Sequence, residues 1–135
     1  DLMKRINGEK QMTDVWHLPA IARWEKSCGK HPTQKPLALL ARILMASTRP
    51  GEWILDPFCG SSTTGIAANL LGRRYLGIEK EKEYVEISKN RRYELEDSLV
   101  CQNMRSKIKD IQLAESLTPS IAKEDSIVTY GDLPF

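Results

Sequence analysis

Trp53-Ile54-Leu55-Asp56-Pro57-Phe58-Cys59-Gly60-Ser61-Ser62-Thr63-Thr64-Gly65 runs from a short apolar segment, through a glycine-containing loop, into small and apolar residues. The apolar segment follows a Pro50-Gly51 turn and stops at Asp56-Pro57. With no polar alternation, it predicts a strand buried on both faces. From Thr63 to Leu71 the residues Ile66, Ala67, Leu70 and Leu71 predict a helix, which Gly72 ends. A strand feeding a loop and then a helix leaves unsatisfied backbone donors at the strand's carboxyl end, where open α/β sheets bind ligands. The ligand site is therefore expected between Asp56 and Gly65.

Upstream of this stretch, Pro36 opens a helical run of Leu37, Leu40, Ile43 and Leu44 that ends at Thr48, Pro50 and Gly51. Downstream, Tyr75-Leu76-Gly77-Ile78 predicts a second strand ending at Glu79. From Lys82 to about Leu99 a charged helix offers Tyr84, Ile87, Arg91 and Leu95 on one partly apolar face. Helix, strand, loop, helix, strand, helix is an α/β crossover unit. The first thirty residues read as a connecting or docking segment in which Val15, Trp16, Leu18 and Ile21 are apolar enough to pack. After Val100 the apolar pattern thins, Pro119 interrupts it, and Ile127-Val128-Thr129-Tyr130 predicts one more short strand. The chain is thus divided into a lead-in segment at 1–30, an α/β unit at 31–100 and a C-terminal extension of unknown form at 101–135.

A length of 135 residues supports one core, and 41% hydrophobic with 28% charged residues excludes pervasive disorder. A formal net charge of +2 does not announce a polyanion partner, although Arg73-Arg74 and Lys89 to Arg92 are local basic clusters that can touch phosphate. Cys28, Cys59 and Cys101 are odd in number and widely spaced. With no signal peptide or long apolar span, they imply free thiols in a reducing cytoplasm and no membrane. Neither His17 nor His31 has metal-ligand spacing, so no metal site is expected and both histidines read as structural or surface groups.

The loop is not G-x-G-x-x-G and lacks a Gly-Lys-Ser/Thr phosphate signature. A nucleoside ligand without phosphates fits it better than a dinucleotide or a nucleoside triphosphate, and a nicotinamide-dependent oxidoreductase is disfavoured. Glu79 alone reads as a solvated charge. At the end of the second strand, about twenty residues beyond the loop, it reads as the acceptor for a ribose diol, which points to an adenosine-type ligand.

The residues from Asp56 to Gly65 resemble the D-P-F-x-G-S-G-T-T cofactor motif of DNA N6-adenine and N4-cytosine methyltransferases. His31-Pro32-Thr33-Gln34-Lys35-Pro36 is similar to that family's H-P-T-Q-K-P segment, and Leu71 to Glu79 is similar to its L-G-R-x-(Y/F)-x-G-I-E strand. The resemblance extends over roughly Asp14 to Arg92. It implies a Rossmann-like methyltransferase fold, present as its cofactor-binding portion, with S-adenosylmethionine as cofactor. It assigns His31, Thr33 and Lys35 to the methionine end of the cofactor and Asp56 to its ammonium. Gly60, Ser61, Ser62, Thr63 and Thr64 form the binding loop, and Glu79 with Lys80 beside it lies at the ribose. Phe58 is either core or pocket wall. Without the resemblance, Asp56 reads as a cap for the loop, and Thr33 and Lys35 as the exposed lead into a helix. Ser62 departs from the family, which has glycine there.

Freeing the lone pair of an exocyclic amine takes hydrogen-bond acceptors and an aromatic platform, which in this family a D/N/S-P-P-Y/F/W tetrapeptide provides. No such tetrapeptide occurs in these 135 residues. Asp132-Leu133-Pro134-Phe135 lacks one proline and lies on the wrong side of the cofactor motif for the family subgroup concerned. No catalytic residue is therefore expected in this chain. An N-terminal catalytic half or second subunit should complete it, with duplex DNA reached through the complete enzyme and a homodimer left open. The rival readings are a non-catalytic truncated or split subunit, and a methyltransferase for RNA or another acceptor. Trp16, Arg23 and Trp24 read as a packing hook rather than a nucleic-acid contact.

Overall fold

The computed structural model describes residues 2–29 and 31–117. Helix α1 (Leu2–Ile6) and a 3-10 turn (Arg23–Lys26) interrupt an otherwise irregular lead-in. There follow α2 (Leu37–Ser47), β1 (Trp53–Asp56), α3 (Thr63–Leu70), β2 (Arg74–Gly77), α4 (Lys82–Glu94), α5 (Ser98–Ser106) and α6 (Lys109–Leu117). Strands β1 and β2 are parallel, with Trp53 opposite Arg74, Ile54 opposite Tyr75 and Asp56 opposite Gly77. Parallel strands need a crossover, and α3 is that crossover.

Helix α2 forms because Leu37, Ala41 and Leu44 recur on one face, and all three are buried. Thr48 stops it by donating both its amide and its hydroxyl to the Leu44 carbonyl. Helix α3 is rich in small residues. Ala67 and Ala68 are fully buried, which lets α2 pack directly across it beside Leu70 and Ile66. It ends where Gly72, at φ +68°, takes the left-handed conformation that glycine adopts without penalty, and Arg73 N donates back to the Ala68 carbonyl.

Several expectations need correction. The sheet is not buried on both faces: Ile54 is covered by the α2–α3 layer, but Trp53 is 58% and Leu55 61% exposed, as are Leu76 and Ile78 to a similar degree. The charged helix does not run on to Leu99. It stops at Glu94, and Asp97 caps a new helix by accepting the Leu99 amide. Beyond Val100 the chain is helical as far as Leu117. Ile108 and Ile111 of this region are fully buried members of the central core. An Arg42–Asp110 pair, at 2.6 Å and 3.1 Å, pins α6 to α2, and Trp16 stacks on the same guanidinium. Trp24 packs against the core, so both tryptophans serve packing, whereas Val15 stays 65% exposed.

The basic clusters divide. Arg73 is buried and donates to the Thr48 carbonyl and hydroxyl and to the Leu71 carbonyl, and Arg91 is buried under the loop, so neither faces phosphate. Arg74, Lys89 and Arg92 remain at the surface. The three cysteines are free and half-buried. Among the described residues no helix is long and apolar enough to cross a membrane. The strand expected at Ile127 to Tyr130 and the segment Asp132 to Phe135 lie outside the described residues.

Candidate ligand site at the strand ends

The loop between β1 and α3 is held open at the carboxyl ends of both strands. Asp56, the last residue of β1, accepts the Phe58 amide on Oδ1 (3.1 Å) and the Thr64 hydroxyl on Oδ2 (2.7 Å). The capping role is thus realised, and each carboxylate oxygen keeps a second lone pair for another donor. Parallel pairing continues past the strands: Ile78 N donates to the Asp56 carbonyl and Cys59 N to the Ile78 carbonyl. Phe58, at the outer edge of the loop, is 89% exposed, which excludes the core reading of that residue.

Gly60 turns the chain at φ +52°, and a Cβ there would lie 2.9 Å from His31 Nε2. The position favours glycine for its left-handed conformation, and the imidazole of His31 fills the space that a side chain would take. Glu79 closes the same point from β2: its Oε2 accepts the Gly60 amide and its Oε1 the Glu81 amide, both at 2.9 Å. These amides, Glu81 first, hold its carboxyl below the usual carboxylate range. Its restraint on the loop is complete above the ordinary value of 4.5 and is lost as the pH falls through the lower folded value. Both Glu79 oxygens retain acceptor capacity towards solvent. Lys80 is exposed and pairs with Glu81, at 3.6 Å.

Ser62 sits at φ +62°, ψ +36°, the left-handed conformation that explains the glycine expected there. Its hydroxyl donates to the Tyr75 hydroxyl at 3.0 Å, so the side chain is tucked inward and buried. Burial raises the Tyr75 phenol strongly and the Cys59 thiol as well, keeping both protonated. Thr63 and Thr64 open α3, whose first amides have no intrahelical acceptor.

The segment 31–36 folds over the loop. His31 packs against Tyr84 with the rings tilted by 54° and their centroids 4.1 Å apart, and its Nδ1 accepts the Thr33 amide. Lys35 donates back to the Thr33 carbonyl, and both Thr33 and Lys35 are exposed. Gln34 is buried, donates to the Glu25 carbonyl and accepts the Ser61 hydroxyl. His31, Gly60, Ser61 and Glu79 are thereby brought together, while Phe58, Lys35 and Lys80 stand at the rim.

Sequence reasoning missed the groups that hold this arrangement. Ser88 donates to the Gly60 carbonyl at 2.9 Å. Arg91 donates to the Ser61 carbonyl (2.7 Å), the Ser61 hydroxyl (3.2 Å) and the Thr63 hydroxyl (3.0 Å). Glu25 is buried with its carboxylate on the Ala22 and Leu37 amides. The available signal was the helical spacing of Tyr84, Ile87 and Arg91, which puts the arginine on the inward face.

Parallel strands joined by a helix, with a glycine turn and an acidic side chain meeting at their carboxyl ends, form an α/β crossover unit with its loop at the place where such sheets bind ligands. A family model for N6/N4 DNA methylases matches residues 2–90, and the chain belongs to that DNA methylase family. The type II methyltransferase M2.MboI of Moraxella bovis is 60% identical over 95 residues, 70% of this chain and 35% of its own length. M2.DpnII of Streptococcus pneumoniae is 57% identical over 91 residues, 67% of this chain and 34% of its own. The crystal structure of the M1.HpyAVI-SAM complex is 50% identical, covering 49% of this chain and 33% of that one, with a TM-score of 0.46. The chain spans about a third of the length of the curated relatives it matches.

Proposed function

We propose that this chain supplies the S-adenosylmethionine site of a DNA amino-methyltransferase that acts on adenine N6 or cytosine N4 in a restriction-modification setting. The observation that carries the reading is the meeting of three separate segments, 31–36, 56–65 and 71–79, around Gly60. The donor set suits an uncharged ribose and a zwitterionic amino-acid tail. Glu79 has lone pairs left for two hydroxyls, Asp56 has one left on each oxygen for an ammonium, and the start of α3 offers amides.

When bound, S-adenosylmethionine supplies an electrophilic methyl group on a positively charged sulfur. The chain's own residues bind and orient. Glu79 fixes the ribose end, and Lys80 borders it. Asp56 with Thr33, Lys35 and His31 holds the methionine end. The backbone of Gly60 to Thr64 forms the floor, and Phe58 is free to close against the ligand. Such positioning is worth several kcal/mol of barrier only if the reacting amine is held as firmly. The D/N/S-P-P-Y/F/W tetrapeptide and target recognition belong, on this reading, to the remainder of a longer enzyme, which also completes a Rossmann-like sheet along β1 and binds duplex DNA.

Calorimetric titration of the chain with S-adenosylmethionine tests the proposal. Saturable binding that is lost in Glu79→Ala, with the variant still folded, is the expected result. Equal binding by wild type and variant, or preferential binding of NAD, would overturn it.

A further inference from the structure

We propose that Arg91 is a positioning residue of the loop, setting the geometry of residues 59–63 from beneath. This rests on the reading of that loop as the cofactor site. Arg91 is 6% exposed, and among the described residues its hydrogen bonds go to neutral oxygens: the Ser61 carbonyl and hydroxyl and the Thr63 hydroxyl. The carboxylates that act on it through space, Glu25 and Glu94, have their own partners, Glu25 on two backbone amides and Glu94 on the Ser27 hydroxyl. A guanidinium buried this way carries a desolvation cost, and it lies beneath the start of α3, where the helix dipole disfavours positive charge. Stability alone would be served better by an apolar residue. What the arginine provides instead is a pair of N–H groups on one nitrogen, one of them shared, that reach oxygens of Ser61 and Thr63 on both sides of the left-handed residue Ser62.

Its neighbour one turn earlier acts in the same sense. Ser88 draws the Gly60 carbonyl towards α4, and in a trans peptide the following amide points the opposite way. The Ser61 amide is thus directed to the side of the loop away from α4. Gln34 joins from the third segment through the Ser61 hydroxyl, so Arg91 and Gln34 meet on one side chain. Loss of Arg91 removes the hold of α4 on Ser61 and Thr63 and leaves Ser88 on the Gly60 carbonyl and Gln34 on the Ser61 hydroxyl as the remaining ties.

The experiment compares wild type, Arg91→Met and Arg91→Lys by calorimetric titration with S-adenosylmethionine and by amide hydrogen exchange without ligand. The expected result is affinity at least about tenfold weaker in Arg91→Met and partly recovered in Arg91→Lys. Exchange should quicken at the Cys59 and Ser62 amides, while the Thr48 and Gln112 amides, bonded within the helical layer, stay unchanged. Unaltered affinity in Arg91→Met, with wild type binding, would overturn the inference and leave the cofactor reading intact. If wild type itself does not bind, the cofactor reading fails, and the exchange data decide: an unchanged loop overturns the inference, and a selectively loosened one sustains it. Global loss of protection in both variants would make Arg91 a core residue and would also overturn it.

Discussion

The two faces of the β1–β2 sheet are built from the same kinds of residue and have opposite surroundings. On one, Ile54 is covered and Tyr75 half-buried, beneath helices α2 and α3. On the other, Trp53, Leu55 and Leu76 lie more than half exposed, with Arg74 over the Trp53 ring. An apolar patch of this kind marks a surface that is meant to be covered. The apolar run Trp53 to Leu55 therefore faces a covering layer that the described residues do not themselves contain.

The comparison breaks most readily at Leu70 and Leu55. Leu70→Ala, at a site with no exposure, should cost about 3 kcal/mol, whereas Leu55→Ala should cost well under about 1 kcal/mol. Urea unfolding midpoints measure both, and equal losses would mean that the open face is covered in solution. Asp110→Ala attacks the covered side from its back, leaving Arg42 without its partner in a site where the pair's side chains are only 15% and 9% exposed. A loss of about 2 kcal/mol is expected in the same assay.

Leu55→Lys combined with Leu76→Lys should leave the midpoint within about 0.5 kcal/mol of wild type while lowering fluorescence of the apolar-surface dye ANS. Unchanged dye binding would move the sticky surface elsewhere. The smallest effect belongs to the loop. Ser62→Gly relieves about 1 kcal/mol of left-handed strain and forfeits a hydrogen bond of similar worth to Tyr75, so the net change should lie within about 0.5 kcal/mol. A double-mutant cycle with Tyr75→Phe isolates the bond, since the Tyr75→Phe penalty should fall once Ser62 is glycine and keep only the part owed to the Cys59 thiol.

The order α2, β1, α3, β2, α4 was legible because Pro50-Gly51, Asp56-Pro57 and Gly72 punctuate it and the apolar spacing changes at each. The α4–α5 break was not, because Glu94 to Asp97 contains no glycine or proline, and the only stop signal is a single capping aspartate. The open sheet face was misread because an uncovered strand and a doubly covered one have the same apolar composition when their partner layer lies in other residues. At the site, Gly60 and Glu79 were legible from position, but Arg91 and Arg73 were disguised by arginine neighbours that do face solvent. A charge pair in sequence says nothing about which member turns inward. The C-terminal helices escaped because the apolar positions Met104, Ile108, Ile111, Leu113 and Leu117 are scattered among polar and charged ones, yet Ile108 and Ile111 fill the centre of the core.

Helix α1 packs on α6, and the Arg5 guanidinium donates to the Leu117 carbonyl across 112 positions of sequence. Among the described residues the first and last helices thus touch, and that part of the fold is a closed ring in all but covalent bond. Such a ring can be cut and rejoined at another surface turn, or carried as a cassette within a longer polypeptide, without disturbing what lies inside it. Gene rearrangements that reorder the surrounding segments are therefore structurally inexpensive for this module, since its interior does not register where the chain enters or leaves.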